Sequence, residues 1–377
     1  DFSLMGVGTN IIGYSNNYVN SKLNKVINSS NVSTLNSNYD LILSRKLLKL
    51  HKWASKCFYA RTGGEANAIA LRIARCHTNK DEVAICGYHG WHDWYLSSNI
   101  RNKNNLDNLL LPGLDSGGIP KKLAGITHTF KYNDFSSLKK LINSKKNIGT
   151  IFMEVQRNEK PKSDFLKKVR LLCKKKDIVL IFDECTSGFR ETLGGLHKKY
   201  NVNPDIAVFG KSLSNGVPLT AIIGKEKIMN SALTSFISST FWSDALGPSA
   251  AIATLEYMEK TKSWKNITNT GKQIKKFWKY LSSKYNLKII ISGLDAMPMF
   301  NFTSLKNDYY KNFITQEMLK KNILASNVVY CSIDHHKYLN IYFKELEKIF
   351  NLIKNFERGV NVLDYLDSPN PAKGFKR

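Results

Sequence analysis

Two residues of this sequence suit carbonyl chemistry when taken together, Lys211 and Asp183. Lys211 follows the apolar run Ile206-Ala207-Val208-Phe209 across one glycine and opens the small-residue stretch Ser212-Leu213-Ser214-Asn215-Gly216. A short apolar run bounded by turn residues predicts a buried strand. A lysine at the end of such a strand loses hydration, which lowers its pKa and frees its amine to attack a carbonyl carbon. Upstream, Val179-Leu180-Ile181-Phe182 predicts a second buried strand, which ends in Asp183-Glu184. One strand ending in Asp and a later one ending in Lys suit pyridoxal phosphate. The lysine forms a Schiff base with the cofactor, and the aspartate holds a proton on the pyridine nitrogen. Strand-end acids and lone lysines are common for purely structural reasons, so it is the pairing that carries this reading.

Other candidates fall at the same kind of place. Phe58-Tyr59-Ala60 runs into Arg61-Thr62-Gly63-Gly64-Glu65 and then a helix carrying Ala66, Ile69, Ala70, Ile73 and Ala74. Glycines at a helix start leave backbone N–H groups open, and the helix dipole adds positive potential, so Gly63 and Gly64 form a candidate phosphate site. The strand Val83-Ala84-Ile85-Cys86 ends in Gly87-Tyr88-His89-Gly90. A Tyr-His pair between glycines suits a flat ring stacking under a cofactor, or aromatics turned into the core. Glu154 ends a further strand, and Ser238-Ser239-Thr240 places hydroxyls on a loop.

The elements that must position these residues alternate. Strands are expected at 82–86, 126–130, 150–155 and 179–183, with helices at 135–144 and 164–176 between them. Ala221-Ile222-Ile223 forms a further possible strand. Alternation of this kind predicts an α/β fold with a mostly parallel central sheet covered by helices on both faces. Ligands of such sheets bind at the carboxyl ends of the strands, where Tyr88, Glu154, Asp183 and Lys211 all fall. Before the sheet, residues 5–10 read as a strand end and turn, 17–27 as a helix, and 36–50 as an amphipathic helix. Residues 99–122 read as a long loop, and 246–262 as a helix. Residues 263–377 read as a separate smaller α+β unit, with helices near 264–283, 307–322 and 337–357 and strands near 288–292, 298–303 and 328–332. The tail 367–377 reads as loop. The expected division is an N-terminal segment 1–35 belonging to the small unit, a large domain 36–262 and a small domain 263–377.

Composition narrows the partners. The net charge is +26, yet only ten of the 56 basic residues are arginine. Scattered lysines without an arginine stripe and interleaved aromatics argue against nucleic-acid binding and fit solubility and attraction for anionic substrates. No apolar run reaches the roughly 20 residues of a membrane span. No signal peptide is visible, although a chain opening at Asp1 without Met leaves room for a missing segment upstream. The six cysteines form no CxxC pair, which argues against a zinc site or a disulfide framework, predicts no metal, and fits a reducing cytoplasm.

In their order and spacing these stretches resemble the class III aminotransferases, which are fold type I pyridoxal phosphate enzymes, and among them the branch containing glutamate-1-semialdehyde 2,1-aminomutase. The resemblance rests on Thr62-Gly63-Gly64-Glu65-Ala66, Tyr88-His89-Gly90, Asp183-Glu184 with Ser187-Gly188-Phe189-Arg190, Gly210-Lys211 and Ser239-Thr240-Phe241. It covers most of the chain. It implies Lys211 as the Schiff-base lysine and proton shuttle, Asp183 on the pyridine nitrogen and Tyr88 on the ring. Thr62, Gly63 and Gly64 would lie at the phosphate. His89, Glu154 and Cys185 would line the cofactor, with Arg190 bracing the site. It also implies a homodimer in which Thr240 reaches the phosphate of the other subunit's cofactor, and small-molecule amine and carbonyl substrates.

The sequence departs from the family in places. Gly64 stands where Ser or Thr is usual, removing a side-chain phosphate contact. Glu154-Val155 replaces Glu-Pro, Cys185 replaces a hydrophobe, and Ser243-Asp244-Ala245 replaces Gly-Asn-Pro. A segment that usually precedes Asp1 is absent. The departures at Gly64 and Asp244 favour a general aminotransferase over a true glutamate-1-semialdehyde aminomutase. An amino-sugar or nucleotide-sugar aminotransferase is a further alternative. Against a degenerate PLP-fold binding subunit stand the intact Lys211 and Asp183.

Overall fold

The computed structural model describes residues 1–107, 109 and 112–368. Seven strands form the main sheet: β1 Lys56–Ala60, β2 Glu82–Cys86, β3 Thr127–Thr129, β4 Ile148–Glu154, β5 Val179–Asp183, β6 Ile206–Phe209 and β7 Thr220–Gly224, in the order β1-β7-β6-β5-β4-β2-β3. β2 to β6 pair in parallel. β7 runs antiparallel to both of its neighbours, β6 and β1. The sheet is therefore mostly parallel with one reversed strand, as the alternation of strands and helices predicts.

The strands are apolar on both faces because both faces are covered. Side chains alternate between the two sides. Val83, Ile85, Phe152 and Ile181 meet Ala66, Ala70, Leu71 and Ile73 of the helix Gly63–Thr78. Ala84, Ile151, Met153 and Leu180 meet Leu138 and Ile142 of the helix Phe135–Ser144 and Val169 and Leu172 of the helix Phe165–Lys176 on the other side. The helix Gly63–Thr78 thus lies flat on one face, and its N-terminus is brought to the carboxyl ends of the strands.

The helices Asn17–Ile27 and Asn38–Leu50 form where expected, the second starting two residues later than its apolar pattern because Ser37 Oγ accepts from Tyr39 N–H at 3.0 Å. Beyond the long helices Leu246–Thr261 and Ser263–Tyr285, β8 Ile289–Ser292 and β9 Met299–Phe302 form a separate antiparallel pair beside the helices Asn307–Leu319 and Leu339–Glu357. The N-terminal residues pack here: the Phe2 ring stacks on Tyr342 at 4.4 Å and on His335 at 4.4 Å.

Two expectations are corrected. Residues 5–10 form no strand end; Met5–Gly8 is a helical turn, with Gly6 and Val7 in left-handed conformations. Residues 328–332 form no strand beyond a single bridge between Met299 and Val328. That segment instead bonds irregularly, Val329 N–H to Pro298 O and Cys331 N–H to Ala296 O. Pro298 has no N–H to return, so a ladder cannot form there. Of the loop expected at 99–122, positions 108, 110 and 111 lie outside the described residues, as does the expected tail loop from 369 on. Among the described residues, no helix is long and apolar enough to cross a membrane.

Candidate active site

Parallel register places Glu154 of β4 beside Asp183 of β5, and Asp183 beside Val208 of β6. Lys211 stands three residues beyond Val208, past Gly210. Three potentially reactive side chains are thereby gathered at one edge of the sheet by strand pairing alone.

Asp183 is almost wholly buried. Its Oδ2 accepts from Asn67 Nδ2 and pairs with His89 Nδ1, each at 2.9 Å, and its Oδ1 accepts from Cys185 N–H at 3.0 Å. Burial alone would raise its carboxyl pKa. The bond and charge of His89, the Cys185 N–H and the charge of Lys211 outweigh burial and hold it below the ordinary value, so it stays ionised. His89 is fully enclosed, its ring stacked on Phe152 at 4.7 Å. It belongs to the core side of Asp183, and its influence on any ligand passes through that carboxylate. Tyr88 is half-buried with its ring edge-on to Tyr95 at 6.0 Å, and its N–H donates to Glu154 Oε2 at 3.3 Å.

The Lys211 amine donates to Thr186 Oγ1 at 2.9 Å. Burial, the largest influence, and the nearby charge of Arg157 lower its pKa, while Cys185, Asp183 and Glu154 offset only part of this. Its backbone is left-handed, with φ of +43°, a conformation that costs a non-glycine residue roughly 1–2 kcal/mol. Such strain is characteristic of residues held for function. Thr186 Oγ1 also accepts from Arg157 Nη2 at 2.6 Å, and Arg157 Nη2 pairs with Glu154 Oε1 at 2.6 Å. A polar chain thus runs Glu154–Arg157–Thr186–Lys211. Asn67, Arg157 and Thr186 were not among the residues singled out from sequence. Their signals were faint: a polar side chain on an alanine-rich helix face, an arginine three residues past a strand-end acid, and a hydroxyl three residues past Asp183.

Glu184 takes no part in this site. It points to the opposite side of the strand end, where Ser187, the Leu196 and His197 N–H groups and the His197 ring all bond its carboxylate. Arg190 is buried and donates to Thr186 O and Gly8 O, each at 2.5 Å, which ties the N-terminal segment to the loop carrying Thr186.

The glycine turn lies alongside. Thr62 caps the helix Gly63–Thr78, its Oγ1 accepting from Glu65 N–H at 3.4 Å. Among the described residues, no acceptor is bonded to the N–H of Gly63 or Gly64. A Cβ added at Gly63 would lie 3.6 Å from Cys185 Sγ, and one at Gly210 would lie 3.4 Å from the same atom. Cys185 therefore sits between the turn and the lysine strand, and burial pushes its thiol pKa well up, which keeps it neutral. Two unpaired N–H groups at a helix start fit an anionic phosphate, so the residues present fit pyridoxal phosphate.

Thr240 is exposed, and no hydrogen bond joins it to the turn of its own chain. Its loop is anchored beside that turn by Arg61, which bonds Phe241 O and pairs with Asp244 at 3.3 Å. Asp244 accepts from the Leu246 and Gly247 N–H groups at 3.2 Å each, so the departure at this position supplies a helix cap. A cavity of about 420 Å³ opens beside Glu154 and Arg157, lined also by Gly87, Lys131, Tyr132 and Asn158. Lys211 is not part of its wall.

A buried amine and an ionised buried aspartate lie at adjacent strand ends, next to an open helix N-terminus. The comparisons with known proteins bear on the family and the fold. A family model described as aminotransferase class-III matches residues 3–355, and the chain belongs to that family, whose chemistry is pyridoxal-phosphate-dependent amino transfer. It is similar to the 3-aminobutyryl-CoA aminotransferase of Cloacimonas acidaminovorans (strain Evry), 30% identical over 345 residues, covering 89% of this chain and 78% of that protein. It is also similar to the glutamate-1-semialdehyde 2,1-aminomutase of Sulfurisphaera tokodaii, 30% identical over 305 residues, covering 79% and 72%. Among solved structures, the FumI protein of Sphingopyxis sp. MTA144 superposes with a TM-score of 0.85 at 19% identity over 97% of this chain and 87% of that one. The ornithine aminotransferase of Toxoplasma gondii gives 0.80 at 20% identity over 94% and 86%.

Proposed function

We propose that Lys211 is the residue that carries pyridoxal phosphate, that Asp183 faces its ring nitrogen, and that the Thr62-Gly63-Gly64 turn holds its phosphate. The observation that carries this reading is the Lys211 amine beyond the end of β6, hydrogen-bonded to Thr186, with the buried, triply hydrogen-bonded carboxylate of Asp183 at the end of the neighbouring strand β5. Bound pyridoxal phosphate supplies the carbonyl that exchanges amines and a protonated ring that takes up carbanion charge. The protein's part is to prepare that ring and move protons. Asp183, held ionised by His89 and Asn67, keeps the ring nitrogen protonated. Lys211, as a free amine, would hold and move a proton at its Nζ atom. Thr186 receives the Lys211 amine in a hydrogen bond and orients it. Tyr88 packs against the ring, and Glu154 with Arg157 presents a polar wall to the substrate. Cys185 lines the floor as a neutral thiol.

The substrates are a small primary amine and a carbonyl acceptor. The aminotransferase reading is preferred, with Gly64 and Asp244 setting the chain apart from the aminomutase pattern. An intramolecular aminomutase is the second reading, supported by the names of similar proteins such as that of Sulfurisphaera tokodaii. The protein acts as a homodimer in which Thr240 of each subunit completes the other's phosphate site. Exposed Phe236, Phe241 and Trp242 around Thr240 support burial of this loop in a partner. Six free cysteines suit a reducing cytoplasm. The site lies in a large domain at 36–262, flanked by a small one built from 1–35 and 263–377. A screen of amine donors and carbonyl acceptors, following conversion of the bound cofactor to pyridoxamine phosphate, tests the reading. Turnover of one substrate with no separate acceptor would favour the aminomutase, and no conversion with any amine would defeat both.

A further inference from the structure

Gly64 is tightly covered. A Cβ added there would lie 2.5 Å from both Nδ1 and Cε1 of His92, so the imidazole fills the space that a side chain at position 64 would take. The chain reaches this place because Gly90, with φ of +102°, crosses the turn so closely that its own Cβ would be 3.1 Å from Gly64 Cα. The Nδ1 atom of His92 is buried and bonded to nothing among the described residues. A buried polar atom left without a partner is costly, and each such case calls for an explanation. Nothing in the fold supplies one: His92 caps no helix with its side chain, and its ring only leans on Trp91 at 4.9 Å.

The N–H groups of Gly63 and Gly64 are unpaired at the same helix start. One multi-oxygen anion satisfies all three groups at once. We propose that His92 donates from Nδ1 to the phosphate of pyridoxal phosphate, in place of the hydroxyl that Ser or Thr at position 64 would supply. This rests on the reading of the Gly63-Gly64 turn as the phosphate site. Glycine at 64 is then no loss of a contact. It makes room for a longer side chain that reaches in from the Tyr88 turn and links the ring-packing segment to the phosphate.

The test measures cofactor affinity of the dimeric enzyme for pyridoxal phosphate and for pyridoxal, which lacks the phosphate, with the ³¹P resonance of the bound cofactor as a second readout. His92→Phe keeps a ring and removes the donor. His92→Asn keeps an amide N–H near the place of Nδ1. His92→Phe should weaken pyridoxal phosphate binding by about tenfold to a hundredfold, the loss of one hydrogen bond to a charged group. It should also shift the ³¹P signal and leave pyridoxal binding unchanged, while His92→Asn recovers most of the affinity. Should the phenyl ring not be tolerated, His92→Ala gives the same comparison. Unchanged affinity and resonance in the donor-free variant would overturn the proposal, as would equal losses for Phe and Asn, which would make His92 a filler of space. Gly63→Asp separates the two readings, since a carboxylate in a first helical turn favours folding but repels phosphate. If Gly63→Asp weakens binding and His92→Phe does not, only the role of His92 falls. If neither does, the phosphate reading falls with it.

Discussion

Asp183 shows how one residue is prepared by its neighbours. Its carboxylate is buried, yet three donors hold it ionised. His89 is the strongest of them in offsetting burial. His89→Phe keeps the stacking on Phe152 and removes that donor, so the carboxyl pKa should rise. The acid limb of the kcat/KM profile should then move to higher pH. A limb that stays in place would show that His89 does not set the charge of Asp183. At this scale the position of a candidate residue was legible wherever it closes an apolar run, as Asp183 and Glu154 do and as Lys211 does across one glycine. The sequence was silent on Thr186, Arg157 and His92. Their contacts, to Lys211, to Thr186 and to Gly64, depend on which way a turn side chain points after distant segments have paired. Tyr88 and His89 are adjacent in sequence, but the turn sends one to the site and the other into the core. Spacing cannot show that division.

Among the elements, the loop after β5 is secured by the acid that the site does not use. Glu184 is fully buried, and burial is the largest single influence on it, but the bond and charge of His197 and the His197 and Leu196 N–H groups together outweigh burial and hold its carboxyl below the ordinary value. Glu184→Ala would strand His197 and two backbone N–H groups, and should cost on the order of 3–5 kcal/mol of stability. Thermal or denaturant unfolding checks this; a loss under 1 kcal/mol would mean the loop is held otherwise. His51 belongs to the same region, with Nδ1 toward Leu47 O at 2.8 Å and Nε2 accepting from Gly195 N–H at 3.0 Å. Burial, with the charge of His197 adding to it, lowers its pKa from 6.5 to about 4. The unfolded chain takes up a proton that the folded one refuses, so stability should fall as pH drops from 6.5 toward 4. The slope from this one group approaches about 1.4 kcal/mol per pH unit, and His51→Gln should flatten it. The strands and long helices were legible because apolar runs and periodic faces mark them locally. The reversal of β7 was not, since a fully buried strand reads the same in either direction. The segment 328–332 has strand-like residues, but its neighbour Pro298 cannot complete a ladder.

At the scale of the molecule, the proposed homodimer would make the exposed Thr240 and the open glycine turn complementary halves of one site on two subunits. Thr240→Ala should weaken cofactor binding by about 10- to 150-fold, the loss of one charged hydrogen bond. Mixing Lys211→Ala with Thr240→Ala subunits should restore activity, because in each mixed dimer one site carries both defects and the other carries neither. Mixed dimers that form but stay inactive would rule out sharing, as would an active monomer. The central claim, that this chain works through a cofactor held covalently on Lys211, is met most directly by reducing the holoenzyme with borohydride and mapping the labelled peptide. The account predicts a single pyridoxyl adduct, on Lys211, and none in Lys211→Ala. An adduct on any other lysine, or no adduct on a folded holoenzyme, would contradict it.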